Sequence, residues 1–394
     1  MKWDIRQPGV DESTLKVDSC EVLGMLPDPF IANDGHRLRS ADEWPMRRRE
    51  LYRSVIELQY GTMPPKPEAL DVAPLYRSDG SNIFRITAKR GERTVSFRLK
   101  VILPPEDKRA LCAKNKKPPV IVDGDLSFNY AYDQEWLNAA LDEGIGWALF
   151  DRTELANDIQ NEGRRKGQLY GVYPEYTFGA LGAWAWGYSR VVDALEQLDM
   201  FDMGCIAFTG HSRGGKTAAL AGALDERAAI VNPNATCAGA CGCYRLHMTG
   251  TDPDGKSGRS ERLCDLWDKF DFWMGPEFGK YAKDEASLPF DCHELKAMVA
   301  PRTLYISEAA GDFWANPVGS WQTTMAAKEV YRFLGVEDEL FWSFRPGPHW
   351  HTVGEVQMLA SLVRRHQGCT FDSSPFFRRP FRNTELIFDW RAPD

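Results

Sequence analysis

The spacing of apolar residues along the chain changes character near Pro118. Before this point, apolar and polar side chains alternate in three segments, which is typical of half-buried antiparallel strands: residues 72–76, 82–88 and 95–103. After it, short runs are apolar throughout, the pattern of parallel strands that are buried on both faces. These runs are PPVIVDGD, which begins at Pro118, and residues 146–150, 206–208, 228–231, 302–307 and 340–344.

Segments with helical spacing lie before and between these strands, at residues 43–60, 136–141, 181–198, 320–334 and about 354–366. Strands that alternate with helices, after an antiparallel start, predict an α/β fold with a mixed, mostly parallel sheet flanked by helices. We expect a single domain over residues 1–394, with an N-terminal extension to about residue 60 and an insertion at about 232–300. We also expect a polar loop at 153–175, a charged turn at 108–117 and an aromatic, arginine-rich tail over 370–394 that wraps the surface.

The segment 206–220, IAFTGHSRGGKTAAL, carries the strongest chemical signal. Gly210, Ser212 and Gly214 have the G-x-S-x-G spacing of a nucleophile elbow, between an apolar strand and an alanine-rich helix. Such a turn holds the serine hydroxyl clear of the backbone at a helix N-terminus, which favours developing negative charge. The alternative is an ordinary strand-to-helix turn with an N-cap serine. The flanking strand and helix favour the elbow, and with it the α/β-hydrolase fold.

Composition narrows the classes of function. The chain has 394 residues, a net charge of −8 and no basic block, which argues against a nucleic-acid partner. No apolar run approaches the roughly 20 residues that span a bilayer, so we expect no membrane partner. The N-terminal stretch MKWDIRQPGVDE has no apolar core of a signal peptide. As it stands the chain reads as cytoplasmic, or as secreted or periplasmic if a signal was removed.

Nine cysteines are present, and Cys237, Cys241 and Cys243 cluster. No second pair has zinc-like spacing, so we interpret the cluster as small buried residues near the floor of the site rather than as metal ligands. We expect no metal and no cofactor.

A serine hydroxyl needs a base to take its proton, and α/β-hydrolases carry their triad in the order serine, acid, histidine. Of the seven histidines, His349 and His351 follow the last predicted strand, in RPGPHWHT. We favour His349, because the Gly/Pro-rich loop directly before it is suited to present the ring, but chain order alone does not separate the two. The side chain of His211, beside the nucleophile, is expected to point away from that of the serine.

The acid that orients the histidine should follow a strand between the elbow and the histidine. Asp312 comes after the strand at 302–307, and Glu308 is the close alternative in the same loop. Residues 232–236, after the earlier strand, contain no carboxylate, which favours Asp312.

Two cations belong to the elbow itself. Arg213 directly follows the nucleophile, where a guanidinium would add a charged donor to the oxyanion hole. Lys216 lies at the helix start, where a cation opposes the helix dipole. Binding of a hydroxyl-rich or anionic substrate would explain it, and exposure at the rim is the alternative.

Several motifs resemble those of the glucuronoyl esterases, carbohydrate esterase family fifteen, and in particular its bacterial branch. The segment 210–216, GHSRGGK, is similar to that family's G-C-S-R-x-G-K elbow. The resemblance continues through LPDPF, YGTMPP, LGAWAWGYSRVVDAL, LPFDCHEL, APRTLYIS and DFWANP, and covers about 300 residues from Leu26 onward.

The resemblance implies hydrolysis of esters between glucuronic acid on xylan and lignin alcohols. It implies that Ser212 is the nucleophile, that Arg213 contributes to the oxyanion hole and that His349 is the base. Sugar contacts are implied for Lys216, Trp314 and Glu261.

The chain also departs from the family pattern. The P-x-E-S-G segment that carries the acid in many members reads PNATC at 233–237, whereas Asp312 matches an aspartate that some bacterial members use. His211 stands where cysteine is usual, so no disulfide forms there. The leading hypothesis is therefore a serine esterase, expected to be a monomer, that acts on a small-molecule or polysaccharide ester. Alternatives are an acetyl xylan esterase or general carboxylesterase, and a non-catalytic carbohydrate-binding protein on a hydrolase fold.

Overall fold

The computed structural model of the protein describes residues 16–78, 80–109, 117–126, 133–252, 255–377 and 385–393. A large mixed sheet forms its centre, and nine strands of the described residues belong to it. These strands are β2 (Ala69–Ser78), β3 (Ser81–Arg90), β4 (Arg93–Ile102), β5 (Val120–Asp123), β6 (Gly146–Phe150), β7 (Ile206–His211), β8 (Ala228–Asn234), β11 (Thr303–Ala309) and β12 (Leu340–Arg345).

The spatial order of the strands is β12-β11-β8-β7-β5-β6-β4-β3-β2. Strands β5, β6, β7, β8, β11 and β12 pair in parallel, whereas β2, β3 and β4 pair antiparallel with one another and β4 pairs antiparallel with β6. The change from alternating to continuously apolar segments therefore marks the change from antiparallel to parallel pairing. Each segment predicted as a strand forms one, with ends that shift by a few residues.

Helices cover both faces of this sheet. A continuous helical stretch runs from α1 (Trp44–Leu51) through a π-helical segment (Tyr52–Glu57) to α2 (Leu58–Tyr60). The others are α3 (Gln134–Leu141), α4 (Gln168–Val172), α5 (Ala180–Leu198), α6 (Arg213–Leu224), α7 (Leu263–Phe270), α8 (Cys292–Ala297), α9 (Pro317–Phe333) and α10 (Val353–His366). None of the helices in the described ranges combines the length and the apolar character that crossing a bilayer requires.

The central helices α5 and α6 pack tightly because small residues face the sheet. A Cβ at Gly222 of α6 would lie 2.4 Å from a methyl carbon of Val231 on β8. Alanine and glycine at such positions let helix and strand approach closely, and this approach holds the start of α6 at the end of β7.

The predicted insertion at 232–300 contains structure of its own. The first residues, 232–234, still belong to β8, and the remainder forms β9 (Leu246–Thr251), β10 (Ser257–Arg259), α7 and α8. Strand β9 pairs on one side with β10 and on the other with β1 (Lys16–Val22), so the N-terminal extension is tied to the insertion by backbone hydrogen bonds.

Three expectations about connecting segments need correction or qualification. The loop predicted at 153–175 contains the short helix α4. Most of the turn predicted at 108–117 lies outside the described residues. The described parts of the tail pack into the protein. Ile387 and Phe388 are buried, and the indole of Trp390 donates to the carbonyl of Leu26.

Candidate active site

Ser212 occupies a strained turn between β7 and α6. Its backbone has φ 55° and ψ −115°, a left-handed conformation that costs a non-glycine residue about 1–3 kcal/mol. The backbone holds it there, since the amide of Ser212 donates to the carbonyl of Asn234 at 2.9 Å and its carbonyl accepts from the amide of Lys216 at 2.9 Å. This is the geometry of a nucleophile elbow.

The two glycines of the motif are required by close approach. A Cβ at Gly210 would lie 2.4 Å from the carbonyl oxygen of Gly214, so strand and helix touch directly across the turn. A Cβ at Gly214 would lie 2.1 Å from Oδ2 of Asp125, a buried carboxylate that follows β5. Neither position therefore accepts a side chain without displacement of its neighbours.

His349 and Asp312 are brought together at the same edge of the sheet. Asp312 is buried in the loop after β11, and His349 lies in the loop after β12 with its side chain 36% exposed. Nδ1 of His349 is 2.5 Å from Oδ2 of Asp312. Because the carboxylate engages Nδ1, the imidazole is held in the tautomer whose Nε2 is a proton acceptor.

The alternative base and acid occupy different surroundings. His351 is buried against the ring of Trp136, with ring centroids 5.2 Å apart, and neither of its nitrogens has a hydrogen-bond partner. Burial lowers the pKa of His351 to about 4. Glu308 accepts a hydrogen bond from the hydroxyl of Ser320 at 2.7 Å, and burial raises its pKa to about 8. The geometry thus favours His349 and Asp312 over these two.

A buried arginine holds the loop of His349. Arg345, at the end of β12, donates to the carbonyls of Pro346 at 3.0 Å and Pro348 at 3.2 Å, and also to that of Trp350. Its guanidinium is fixed by an ion pair of 3.0 Å with Glu355 of α10. These contacts fix the backbone on both sides of His349.

His211 contacts His349, an interaction that sequence reasoning missed. The two ring centroids are 4.4 Å apart, and Nδ1 of His211 is 2.5 Å from Oδ1 of Asn234. Burial lowers the pKa of His211 well below its ordinary value, and the neighbouring His349 and His351 add to this shift. A neutral imidazole therefore packs against the ring of the candidate base, His349.

Lys216 is buried rather than exposed at the rim. Its ammonium donates to the carbonyl of Thr236, to that of Ala238 at 2.5 Å and to Oε2 of Glu261 at 3.0 Å. An ammonium has three donors, so each has a partner inside the protein. Burial raises the pKa of Glu261, and Lys216 opposes this shift. Two residues with implied sugar contacts thus form one buried ion pair.

Trp314 is adjacent to this pair through the backbone, because its carbonyl accepts from the amide of Glu261 at 3.0 Å. The indole is 36% exposed. Arg259 and Lys269 approach its ring to 5.6 and 5.7 Å from the centroid, so two cations border this indole.

Cys237, Cys241 and Cys243 are buried, and burial raises the pKa of each thiol. Across the described ranges, no group of three or more His, Cys, Asp or Glu side chains is arranged to hold a metal ion.

Comparison with known proteins identifies the family. A family model described as fungal glucuronyl esterase matches residues 86–335. The chain belongs to the glucuronoyl esterase family. The predicted family and the predicted α/β-hydrolase fold are confirmed, and members of this family are carboxylic ester hydrolases.

Individual glucuronoyl esterases agree with this assignment. A 4-O-methyl-glucuronoyl methylesterase of Podospora anserina is 28% identical over 85% of this chain and 66% of its own length. One from Wolfiporia cocos is 31% identical over 79% of this chain and 73% of its own length. Among solved structures, a family 15 glucuronoyl esterase from Caldicellulosiruptor kristjansonii is 30% identical, with a TM-score of 0.78 over 94% of this chain and 98% of that one.

Sequence reasoning also missed Asp158. Its Oδ2 accepts a hydrogen bond from Arg213 at 3.1 Å, and it lies in the segment that follows β6. The available signal was its position after the carboxyl end of a parallel strand. Because the carboxyl ends of parallel strands meet at one edge of the sheet, this position indicates that Asp158 lies near the elbow.

Proposed function

We propose that the chain is a serine esterase in which Ser212 is the nucleophile, His349 the general base and Asp312 the acid. The observation that carries this proposal is the 2.5 Å contact between Nδ1 of His349 and Oδ2 of Asp312, at the sheet edge where the strained elbow presents Ser212. A carboxylate on Nδ1 fixes the tautomer and stabilises the imidazolium, and this arrangement is what activates a serine.

The reaction proceeds in two halves. Ser212 Oγ attacks the ester carbonyl carbon as its proton passes to Nε2 of His349, and the tetrahedral intermediate collapses when the histidine returns that proton to the leaving alcohol oxygen. Water then attacks the acyl-enzyme, gives its proton to His349, and the acid departs as Ser212 takes the proton back. These steps require no metal or cofactor.

The oxyanion that forms in each half needs donors. Arg213, the first residue of α6, would supply its guanidinium at the helix N-terminus, where the helix dipole also favours negative charge. An ionised donor is worth more than a neutral one in a site that excludes water.

For the substrate, we infer 4-O-methyl-glucuronoyl esters of the xylan–lignin type. The printed names of the curated relatives support this class, as do Trp314 and the Lys216–Glu261 pair on one side of the elbow. Because the donors of Lys216 are occupied, a sugar hydroxyl would bind this lysine by replacing one of its present acceptors. The partner is then a small molecule or a polysaccharide that carries the ester.

The test compares wild type with Ser212→Ala on benzyl glucuronate, acetylated xylan and p-nitrophenyl acetate. We expect wild type to hydrolyse benzyl glucuronate, and Ser212→Ala to lose at least about 10³-fold in kcat. Ser54→Ala, on the helical stretch before the sheet, is the matched control and should keep full activity.

Two results would contradict the proposal. Turnover of acetylated xylan without turnover of benzyl glucuronate would assign an acetyl esterase. Failure of an organophosphonate probe to label Ser212, together with no turnover of any ester, would support the carbohydrate-binding alternative.

A further inference from the structure

Asp158 is a buried carboxylate that the reaction scheme does not use. Its side chain is 3% exposed, and its two oxygens have different partners. Oδ2 accepts from Nη1 of Arg213 at 3.1 Å, and Oδ1 accepts from Nε1 of Trp273 at 2.9 Å. One carboxylate therefore joins the residue after the nucleophile to the 232–300 insertion.

An aromatic pair completes the surroundings of Arg213. Phe270 and Trp273 stack with their ring centroids 3.9 Å apart and an interplanar angle of 13°. The guanidinium carbon of Arg213 lies 5.5 Å from the centroid of Phe270 and 5.1 Å from that of Trp273. A planar cation that borders an aromatic pair and is bonded to a carboxylate is held in position.

Asp158 is itself anchored from the protein interior. Nη2 of Arg152, a fully buried residue, is 3.5 Å from Oδ2 of Asp158. The guanidinium of Arg152 packs 4.8 Å from the ring of Trp184 and forms an ion pair with Asp125. Asp125 in turn accepts from the amide of His211, so this buried network is connected to the elbow at its far end.

From these contacts we infer that Asp158 is the positioning residue of Arg213, and that it holds the guanidinium in the orientation needed to stabilise the oxyanion. A guanidinium presents five donors in a rigid fork, so a carboxylate on one of them orients the others. Stabilisation of a transition state by a charged donor depends on such prior orientation. The inference rests on the proposed role of Arg213.

The experiment is a double-mutant cycle on benzyl glucuronate with wild type, Asp158→Asn, Arg213→Ala and the double variant. Asparagine keeps the shape of the side chain and one oxygen acceptor but removes the charge. We expect Arg213→Ala to lower kcat about 10²- to 10³-fold, and Asp158→Asn about 10- to 100-fold with KM within about twofold. If Asp158 acts through Arg213, the double variant has the kcat of Arg213→Ala alone.

Asp193 provides the matched control. It is also a buried carboxylate shared by two arginines, Arg190 at 2.7 Å and Arg227 at 2.7 Å, but it lies on α5. Asp193→Asn should lower the melting temperature as Asp158→Asn does, and leave kcat unchanged.

Trp273→Phe provides an independent variant, because it keeps the ring near Arg213 and removes only the donor to Asp158. We expect a smaller loss of kcat, about 3- to 10-fold, because this substitution removes a single hydrogen bond from a neutral donor to the carboxylate.

Two outcomes would overturn the inference. One is an unchanged kcat in Asp158→Asn, and the other is an equal loss of kcat from Asp158→Asn in the wild-type and Arg213→Ala backgrounds, which would indicate a general structural role. An unchanged kcat in Arg213→Ala would instead contradict the proposed oxyanion role, while the Ser212→Ala result would still test the esterase assignment separately.

Discussion

The two sides of the candidate active site are built in different ways. On the catalytic side, Ser212, Asp312 and His349 each follow a parallel strand of one sheet, so strand order alone brings them to a common edge. On the side assigned to the sugar, Glu261 comes from the insertion and meets Lys216 of α6 through a buried ion pair. The catalytic side therefore depends on the scaffold, whereas the sugar side depends on individual side-chain contacts.

This difference predicts that changes on the catalytic side lower activity with little effect on stability, whereas changes to the buried pair of Lys216 and Glu261 lower the stability of the fold.

Asp312→Asn should cause the largest loss. The amide cannot stabilise the imidazolium and favours the wrong tautomer of His349, so kcat on benzyl glucuronate should fall about 10⁴-fold with little change in melting temperature. Glu308→Gln is the matched control, because Glu308 lies near the end of the strand that Asp312 follows, and its carboxylate bonds to Ser320 instead. Equal losses in the two variants would mean that the acid has been assigned wrongly.

Lys216→Met should destabilise the protein strongly. It leaves the carboxylate of Glu261 buried without its cation, which costs about 3–5 kcal/mol in the free energy of unfolding, measurable by urea denaturation. Lys296→Met is the comparison, since the Lys296 ammonium bonds to hydroxyl groups of Thr323 and Thr324 and to the carbonyl of Ser320. Its removal should cost less, about 1–3 kcal/mol. Equal costs would show that the ion pair has no special part in stability.

Glu308 should make stability depend on pH. Its folded-state pKa of about 8 lies above the ordinary value of 4.5, so the folded protein binds this proton more tightly than the unfolded chain does. The resulting stabilisation is fully present below pH 4.5 and is lost as pH rises through 8. The slope is at most about 1.4 kcal/mol per pH unit. Urea denaturation of wild type and Glu308→Gln should be compared between pH 5 and pH 9. The free energy of unfolding of wild type should fall relative to that of Glu308→Gln as pH rises, because glutamine does not titrate. Parallel curves would contradict the buried, protonated state of Glu308.

Trp314→Ala should have the smallest effect. The indole is partly exposed, so its loss should leave the melting temperature unchanged and raise KM for benzyl glucuronate about tenfold, with kcat within about threefold. Trp350→Ala is a control of similar exposure next to His349. A larger change of KM in Trp350→Ala would move the sugar contact to the other side of the elbow.

Much of the fold was predictable because its signals are local. Alternation of apolar residues marked the antiparallel strands, continuous apolar runs marked the parallel ones, and the G-x-S-x-G spacing marked the elbow. Chain order along the parallel strands then narrowed the candidate acid to Asp312 or Glu308 and the candidate base to His349 or His351.

The misses have a common cause. Lys216 at a helix start gave no sign of burial, and the position of Asp158 after β6 did not identify Arg213 as its partner. The contact between the rings of His211 and His349 was also not predicted. Each of these contacts joins residues that are far apart in the chain, so no local spacing encodes it.

Patterns between near neighbours in the sequence predict the strands of the central sheet, its long helices and the strained serine turn, because backbone preferences and apolar periodicity act over short distances along the chain. The packing of distant segments determines that His349 contacts Asp312, that Lys216 and Glu261 pair in the interior, and that Asp158 contacts Arg213. Those contacts form between elements that are distant in the chain. Because a buried charge needs a compensating partner, the packing of these elements determines which residue forms that contact.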